Sequence, residues 1–274
     1  ETADAEGYWS SYERETPAGK KQGYNAVVQY PFGYGLSYNE YEWTIGDISV
    51  KPDSDVNETT KITIPVKVKN NGEVPGREVI AAYVTAPYTK GGIEKSFVSL
   101  LAFTKTDVID PKEEIETSIT VSVCDFRSYD CYDKNANDFC GYEIEQGEYG
   151  VKLMTDSHTV KTVNFNGEKQ PAVFNYNVKD TIKLDKDPVT GKTVKNLFTG
   201  ESAIDSVPVD GSSKDGSFTA DIPWLTRESF LTLEEINDKN TGRKVTPEAK
   251  AVAGGKYTRA MADAWDNATT DAFG

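Results

Sequence analysis

The sequence predicts a mainly β protein, an immunoglobulin-like β-sandwich with irregular N- and C-terminal extensions. About seven short apolar-alternating runs follow one another from Trp43 to Phe165, with turn signals at intervals near those of an immunoglobulin-like sandwich. A chain of 274 residues is long enough to bury a core. Because hydrophobic residues make up only 37% of it, we expect a small core and much loop.

The clearest strand pattern lies between Lys61 and Lys69. Apolar residues occupy every second position there, which is typical of a half-buried strand. Pro65 falls on the polar side and lacks a backbone donor, so it predicts an edge strand or a bulge. The Asn70-Asn71-Gly72 sequence tolerates positive φ and predicts a turn after the strand. Further strands are predicted over residues 78–85, 98–104, 116–123, 149–154 and 160–165.

Charge and hydropathy exclude two classes of partner. A net charge of −14 argues against nucleic acid, because phosphate binding needs clustered Lys and Arg. The sequence contains no run of about 18 apolar residues, which argues against a membrane span. Since the chain starts at Glu1 without an initiator Met, we expect a fragment or a processed product.

The three cysteines, Cys124, Cys131 and Cys140, lie within one short stretch. Their spacing fits no zinc pattern, and His158 is the only histidine that could complete a site. One disulfide, with Cys131 and Cys140 as the first pair to test, and three ordinary thiols are both open interpretations. Because cysteine usage is ambiguous, the compartment stays open as well.

A polar loop follows the second cysteine and is similar to the start of a calcium-binding loop. The residues from Asp133 to Asp138 alternate oxygen-bearing side chains as such loops do. However, Asp138 stands where a calcium loop has glycine, and Ile144 stands where it has its bidentate glutamate. We therefore predict an ordinary polar loop, with no metal and no cofactor.

The most informative motif lies before the predicted strands, between Tyr30 and Tyr38. In an extended segment, its bulky residues would share one face and its small residues the other, and a bare face suits close approach of another backbone. A Gly-rich turn before a strand is the simpler alternative. The motif closely resembles the one that ends the α/β sandwich domain of glycoside hydrolase family 3, the β-glucosidase and β-xylosidase family. The residues that carry the resemblance are Pro31, Phe32, Gly33, Tyr34, Gly35, Leu36 and Ser37.

The resemblance continues through the strands, in order, over residues 66–87, 92–113 and 144–160. In that family a fibronectin type III-like β-sandwich often follows the motif. The resemblance therefore implies three regions: the tail of the α/β domain over residues 1–42, the fibronectin type III-like sandwich over 43–167, and a linker or wrapping segment over 168–274.

The resemblance also implies which chemistry to expect. Retaining glycosidases need a carboxylate nucleophile and an acid/base carboxylate. In family 3 the nucleophile is an Asp of a (β/α)8 barrel and the acid/base usually lies in an adjoining α/β domain, and neither segment is recognisable here. We assign no catalytic residue and expect this chain alone to be inactive.

The implied role is a non-catalytic portion of a hydrolase of β-glucosides or β-xylosides. Its partners would be the remaining catalytic domains, the (β/α)8 barrel and the α/β sandwich, and an oligosaccharide. The alternative is a free-standing immunoglobulin-like module that binds carbohydrate or sits at a cell surface.

The best candidate for substrate contact is the loop over residues 87–96. Tyr88 offers a flat face for a sugar ring, and Lys90, Glu94 and Lys95 offer hydrogen bonds to hydroxyls. Loops of the fibronectin-like domain reach the active-site mouth in some members of the resembled family. A plain solvated connection between strands is the competing interpretation.

The C-terminal segment predicts local structure without a second core. The turn sequence over residues 187–191 predicts a small hairpin between residues 181–185 and 192–197. Short helices are predicted after the capping residue Thr232 and at Thr246-Pro247.

Overall fold

A computed structural model describes residues 13–16, 19–22, 28 and 30–194. Apart from one 3-10 helix, Val123–Phe126, the regular structure in this part is all β, which confirms the predicted mainly β sandwich class. The strands are β1 (Glu13–Thr16), β2 (Gly19–Gln22), β3 (Tyr41–Ile45), β4 (Lys61–Asn70), β5 (Val79–Thr85), β6 (Ser99–Lys105), β7 (Glu114–Ser122), β8 (Ser128–Asp130), β9 (Gly141–Ile144), β10 (Gly147–Asp156), β11 (Thr159–Val160), β12 (Thr162–Phe165), β13 (Glu168–Pro171), β14 (Val173–Val178) and β15 (Ile182–Leu184).

Two five-stranded sheets form the sandwich. The first has the order β13-β12-β3-β4-β7, with β12 parallel to β3 and the other neighbours antiparallel. The second has the order β11-β10-β5-β6, with β14 also paired to β10. A third, three-stranded sheet has the order β15-β9-β8, and β1 and β2 form a separate hairpin.

The core lies between the inner faces of the two large sheets. On β4 every second residue is buried, as the alternation predicts. Burying one such aliphatic side chain stabilises the fold by roughly 1.5–3 kcal/mol. The largest apolar side chains that are fully buried are Trp43, Tyr149, Tyr176, Ile62, Ile64, Ile80, Ile109, Ile144 and Leu153.

Pro65 does not mark an edge strand, contrary to the sequence-based expectation. It lies on β4, which pairs with β3 on one side and β7 on the other. The Pro65 carbonyl accepts the Gly46 N–H at 2.9 Å, just beyond the last paired residue of β3, Ile45. In an antiparallel ladder the N and the O of a residue face the same neighbouring strand. The N–H that Pro65 lacks would therefore point to the side of β3, which has already ended at Ile45.

The sandwich continues past residue 167, where the sequence-based boundary was drawn. β14 pairs with β10 over six residues and contributes Phe174, Tyr176 and Val178 to the core. Those three residues alternate with Asn175 and Asn177, so β14 has the same half-buried pattern as β4. The predicted linker therefore begins no earlier than Val178.

The predicted C-terminal hairpin is found in part. A bridge between Lys186 and Thr193 closes the turn, and the Gly191 N–H donates to the Asp187 carbonyl at 2.8 Å. The strand before the turn, β15, pairs with β9 instead of with residues beyond the turn. Residues 195–197 and the predicted helices at Thr232 and Thr246 lie outside the described residues. Among the described residues, no helix has both the length and the apolar composition needed to span a membrane.

Candidate functional site

The motif between residues 30 and 38 forms a turn and an irregular segment, so the predicted extended strand is wrong and the alternative of a turn before a strand is confirmed. The Tyr34 N–H donates to the Pro31 carbonyl at 3.0 Å, which closes a four-residue turn. Gly33 occupies the third position with φ +87°, the conformation that a type II turn needs there and that glycine adopts without a steric cost. The positive φ interrupts the alternation on which the strand prediction rested.

The motif is held against the end of β10. The Ser157 N–H donates to the Phe32 carbonyl at 2.8 Å. A Cβ at Gly33 would lie 3.3 Å from the Cα of Asp156 and 3.7 Å from the Tyr83 hydroxyl. The close backbone approach predicted for the bare side of the motif is therefore present at Gly33, and the approaching backbone belongs to the sandwich.

Tyr83 lies beneath this contact on β5 and is almost fully buried, although it belongs to the outer-facing set of that strand. Burial, with a smaller effect of the nearby Asp156 carboxylate, raises the pKa of the Tyr83 hydroxyl. The motif thus lies on the outer face of the second sheet.

The large side chains of the motif point away from the sandwich. Leu36 is 90% and Tyr38 98% exposed, and three more aromatic residues of the motif are also exposed. Five large apolar side chains, at every second position of the motif, form an exposed patch of the kind that marks an interaction surface. We call this set the exposed motif patch; its members are Tyr30, Phe32, Tyr34, Leu36 and Tyr38.

An open depression of about 590 Å³ adjoins the end of the motif. Its walls come from the residues before β3 and from the β4–β5 turn, where the fully buried Asn70 donates to the carbonyls of Val74 and Ile109 at 2.8 and 3.0 Å. No local sequence pattern marks this depression, because its walls are separated by about thirty residues of chain. The lining residues are Tyr38, Glu40, Asn71, Gly72, Glu73 and Val74.

The predicted substrate loop over residues 87–96 connects β5 to β6. The Tyr88 hydroxyl donates to Glu94 Oε2 at 3.2 Å, and Lys90 is exposed beside the turn at Gly91. These three predicted side chains are accessible on one loop. Whether they touch a sugar stays a prediction.

Lys95, the fourth residue predicted in that loop, points inward. Its side chain is only 5% exposed, and its ammonium donates to the Pro87 carbonyl at 2.6 Å and forms an ion pair with Glu145. The Glu145 backbone carbonyl in turn accepts the Tyr149 hydroxyl at 3.0 Å. Lys95 therefore joins the loop to the start of β10, and its donors are engaged within the fold.

The three cysteines are thiols in the structure, each partly exposed, so the disulfide interpretation is not the one found. Cys131 directly follows Asp130, the last residue of β8, and Cys140 directly precedes Gly141, the first residue of β9. Asp130 and Gly141 are paired with each other. Burial raises the pKa of the Tyr129 hydroxyl, and the nearby Cys131 and Cys140 thiols raise it further. Among residues that the structure describes, no group of three or more His, Cys, Asp or Glu side chains is placed to hold a metal ion.

Comparison with known proteins finds relatives whose sequences match about half to two thirds of this chain. The chain is 39% identical over 134 residues to a β-glucosidase of Ruminococcus albus, an alignment that covers 49% of this chain and 13% of the relative. It is 28% identical over 184 residues to thermostable β-glucosidase B of Acetivibrio thermocellus, covering 67% of this chain and 20% of the relative. A putative β-xylosidase of Formosa agariphila is 30% identical over 144 residues, covering 51% and 17%.

The chain thus spans a fifth or less of the length of these relatives. Among solved structures, β-glucosidase 3B of Thermotoga neapolitana in complex with α-D-glucose aligns with a TM-score of 0.42 at 28% identity, covering 58% of this chain and 18% of that one. No protein-family model matches the chain.

Proposed function

We propose that this chain, which is related in sequence to the family 3 β-glucosidases, is the non-catalytic portion of such a hydrolase. In this role it stabilises the catalytic domains, a (β/α)8 barrel and an α/β sandwich, by packing against them. The activity of the assembled enzyme would be hydrolysis of β-glucosides or β-xylosides, the substrates that the names of the relatives indicate.

The exposed motif patch is the observation that carries this proposal. Its backbone is fixed to the sandwich at Phe32 and Gly33, whereas its five large apolar side chains face outward. A segment that is anchored on one side and apolar on the other is suited to bury its outer side against a second body. The resembled motif ends the α/β domain in family 3, so that domain is the body we propose.

We further propose that the sandwich is fibronectin type III-like. Its antiparallel strands β3, β4 and β7 form one sheet, and β6, β5, β10 and β14 form the other. Chain order supports this assignment, since β4 and β5 lie in opposite sheets and β7 returns to the side of β4.

The accessible loop residues Tyr88, Lys90 and Glu94 would then border the substrate site. A rigid loop base supports this role, because the buried Lys95–Glu145 pair fixes the loop to β10. Such a loop adds contacts to a substrate without supplying the catalytic carboxylates.

Two measurements on the purified chain test the proposal. We expect no turnover of 4-nitrophenyl β-D-glucoside or β-D-xyloside by the chain itself. We also expect the chain to bind a separately produced barrel and α/β portion of the R. albus β-glucosidase, because this chain aligns with part of that enzyme. Turnover that is lost on changing one carboxylate of this chain would overturn the non-catalytic role.

A free-standing carbohydrate-binding module is the second candidate, and the depression beside Tyr38 favours it. A tyrosine ring that is 98% exposed next to Glu40 and Asn71 combines a stacking face with hydrogen-bonding groups. Binding of soluble glucans to the isolated chain, abolished by Tyr38→Ala, would support this candidate. Absence of glucan binding together with binding to the catalytic portion would exclude it.

A further inference from the structure

Glu143 is a fully buried acidic side chain, and only one of its two carboxyl oxygens has a hydrogen-bond partner. It lies on β9 and has no exposed surface. Its Oε2 accepts the side-chain amides of Asn135 and Asn137 at 2.7 and 2.8 Å, whereas its Oε1 is buried without a hydrogen-bond partner. Burying an ionised carboxylate without full compensation is strongly unfavourable.

The two amides around Glu143 are also incompletely satisfied. Oδ1 of Asn135 and Oδ1 of Asn137 are both buried, and neither has a hydrogen-bond partner. Three buried oxygen acceptors, one on each of these hydrogen-bonded side chains, therefore lack a donor. Each amide nitrogen lies within hydrogen-bond distance of Glu143 Oε2, so the oxygen of the same amide lies beside this carboxylate as well.

The lysine that lies opposite Glu143 in the sheet donates to a different group. Lys183 lies opposite Glu143 in the β9–β15 ladder, but its ammonium donates to the Asn137 backbone carbonyl at 2.5 Å. A small cation bound among the three orphaned oxygens would satisfy them together.

Two features of the backbone between Asp133 and Asp138 resemble a calcium loop, although Asp133 and Ala136 also adopt positive φ, of +52° and +53°. Asp138, at the sixth position of the loop, adopts φ +62°, the left-handed conformation for which calcium loops use glycine. Asp133, at the first position, accepts the backbone N–H groups of Asn137 and Asp138 at 2.7 and 3.1 Å. Glu143 follows at the eleventh position, one residue before the usual twelfth, because Ile144 is buried in the core.

We propose that residues 133–143 form a calcium site whose ligands are the amide oxygens of Asn135 and Asn137 and the carboxylates of Glu143 and Asp133. All four offer hard oxygen ligands, and two of them are neutral, which suits Ca²⁺ better than Zn²⁺. The ion would tie the β8–β9 connection to β9. With only two carboxylates, an affinity of about 10⁻⁵ to 10⁻³ M is expected.

Thermal unfolding of the full chain tests the site. After treatment with EDTA, addition of about 10 mM CaCl2 should raise the Tm by about 5–10 °C, whereas NaCl of equal ionic strength should not. Terbium should compete with calcium and give tyrosine-sensitised luminescence, because Tyr142 and Tyr132 lie in or beside the loop. A Tm that calcium leaves unchanged would overturn the proposal, as would an equal shift with Mg²⁺ or a larger one with Zn²⁺.

Matched variants locate the effect. Glu143→Gln and Asn135→Ala should each abolish the calcium-dependent rise in Tm, and Asn135→Ala decides the matter if Glu143→Gln does not fold. Glu148→Gln removes the same charge from an exposed position on β10 and should retain the full rise. A calcium response that survives in Asn135→Ala would contradict the assignment of these ligands.

Discussion

Gly33 and Asp156 are in backbone contact across the junction between the motif and the sandwich. A Cβ at Gly33 would meet the Asp156 Cα at 3.3 Å, and the φ of Gly33 is +87°. Only a residue without a side chain satisfies both conditions easily. This contact fixes the direction in which the exposed motif patch leaves the sandwich.

Gly33→Ala should therefore destabilise the junction by about 1–2 kcal/mol, since alanine is strained at a positive φ and its Cβ would lie tightly against Asp156. Amide hydrogen exchange at Ser157, whose N–H donates to the Phe32 carbonyl, should become faster. Gly35→Ala is the control, because a Cβ there meets nothing within 4 Å. Equal effects of the two substitutions would contradict this description of the junction.

Lys95 should stabilise the fold, because its ammonium points inward and pairs with Glu145. Lys95→Met leaves the Glu145 carboxylate without its partner and should lower the free energy of unfolding by roughly 2–4 kcal/mol. Urea unfolding measures this loss. Lys179→Met removes an exposed pair with Asp55 and should leave the free energy of unfolding nearly unchanged. A Lys95→Met protein as stable as Lys179→Met would show that the buried pair does not hold the loop.

The buried hydroxyl of Tyr176 predicts a loss of stability at alkaline pH. Burial, with a smaller effect of Asp53, raises its pKa in the folded chain to about 12, against about 10 when unfolded. Because the folded pKa is the higher one, the stabilising contribution is fully present below about pH 10 and is lost as the pH rises towards 12.

Tyr176→Phe should separate the two effects of this hydroxyl. At pH 8 the variant lacks the hydrogen bond to the Val50 carbonyl and should be less stable by about 1 kcal/mol. Near pH 11.5 the difference should vanish or reverse, because the variant has no hydroxyl to ionise. Tyr38→Phe, which removes the same group from an exposed ring, is the control. A Tyr176→Phe deficit that is constant between the two pH values would contradict the assigned shift.

The sequence predicted the strands whose burial alternates locally and missed the features that depend on distant residues. The β4 alternation is visible within nine residues, because a strand in a sandwich exposes every second side chain. The same rule applied to Phe174, Tyr176 and Val178 would have found β14. The motif was misread because the turn at Gly33 depends on its φ, which alternation does not encode.

The candidate sites show the same limit. The inward direction of Lys95 depends on Glu145, which lies fifty residues later in the chain. The oxygen cluster around Glu143 could not be found by matching a calcium-loop template, because the buried carboxylate is one position early. Only the packed structure brings its orphaned oxygens together.

The exposed motif patch carries the central claim, and a chimera tests it most directly. In the chimera, residues 30–178 of this chain, which carry the patch and the sandwich, replace their counterparts in the R. albus β-glucosidase. We expect the chimera to hydrolyse 4-nitrophenyl β-D-glucoside. We expect Leu36→Asp to reduce its activity and Tm sharply, because a charge would be buried at the proposed interface.

The isolated chain provides the control. Leu36 and Val189 are 90% and 89% exposed there, so Leu36→Asp and Val189→Asp should each leave the Tm of the isolated chain unchanged. The decisive measurement is the activity of the chimera with Leu36→Asp relative to the unmodified chimera. A loss of at least about tenfold is predicted, whereas full activity would contradict the claim that this patch packs against the catalytic domains.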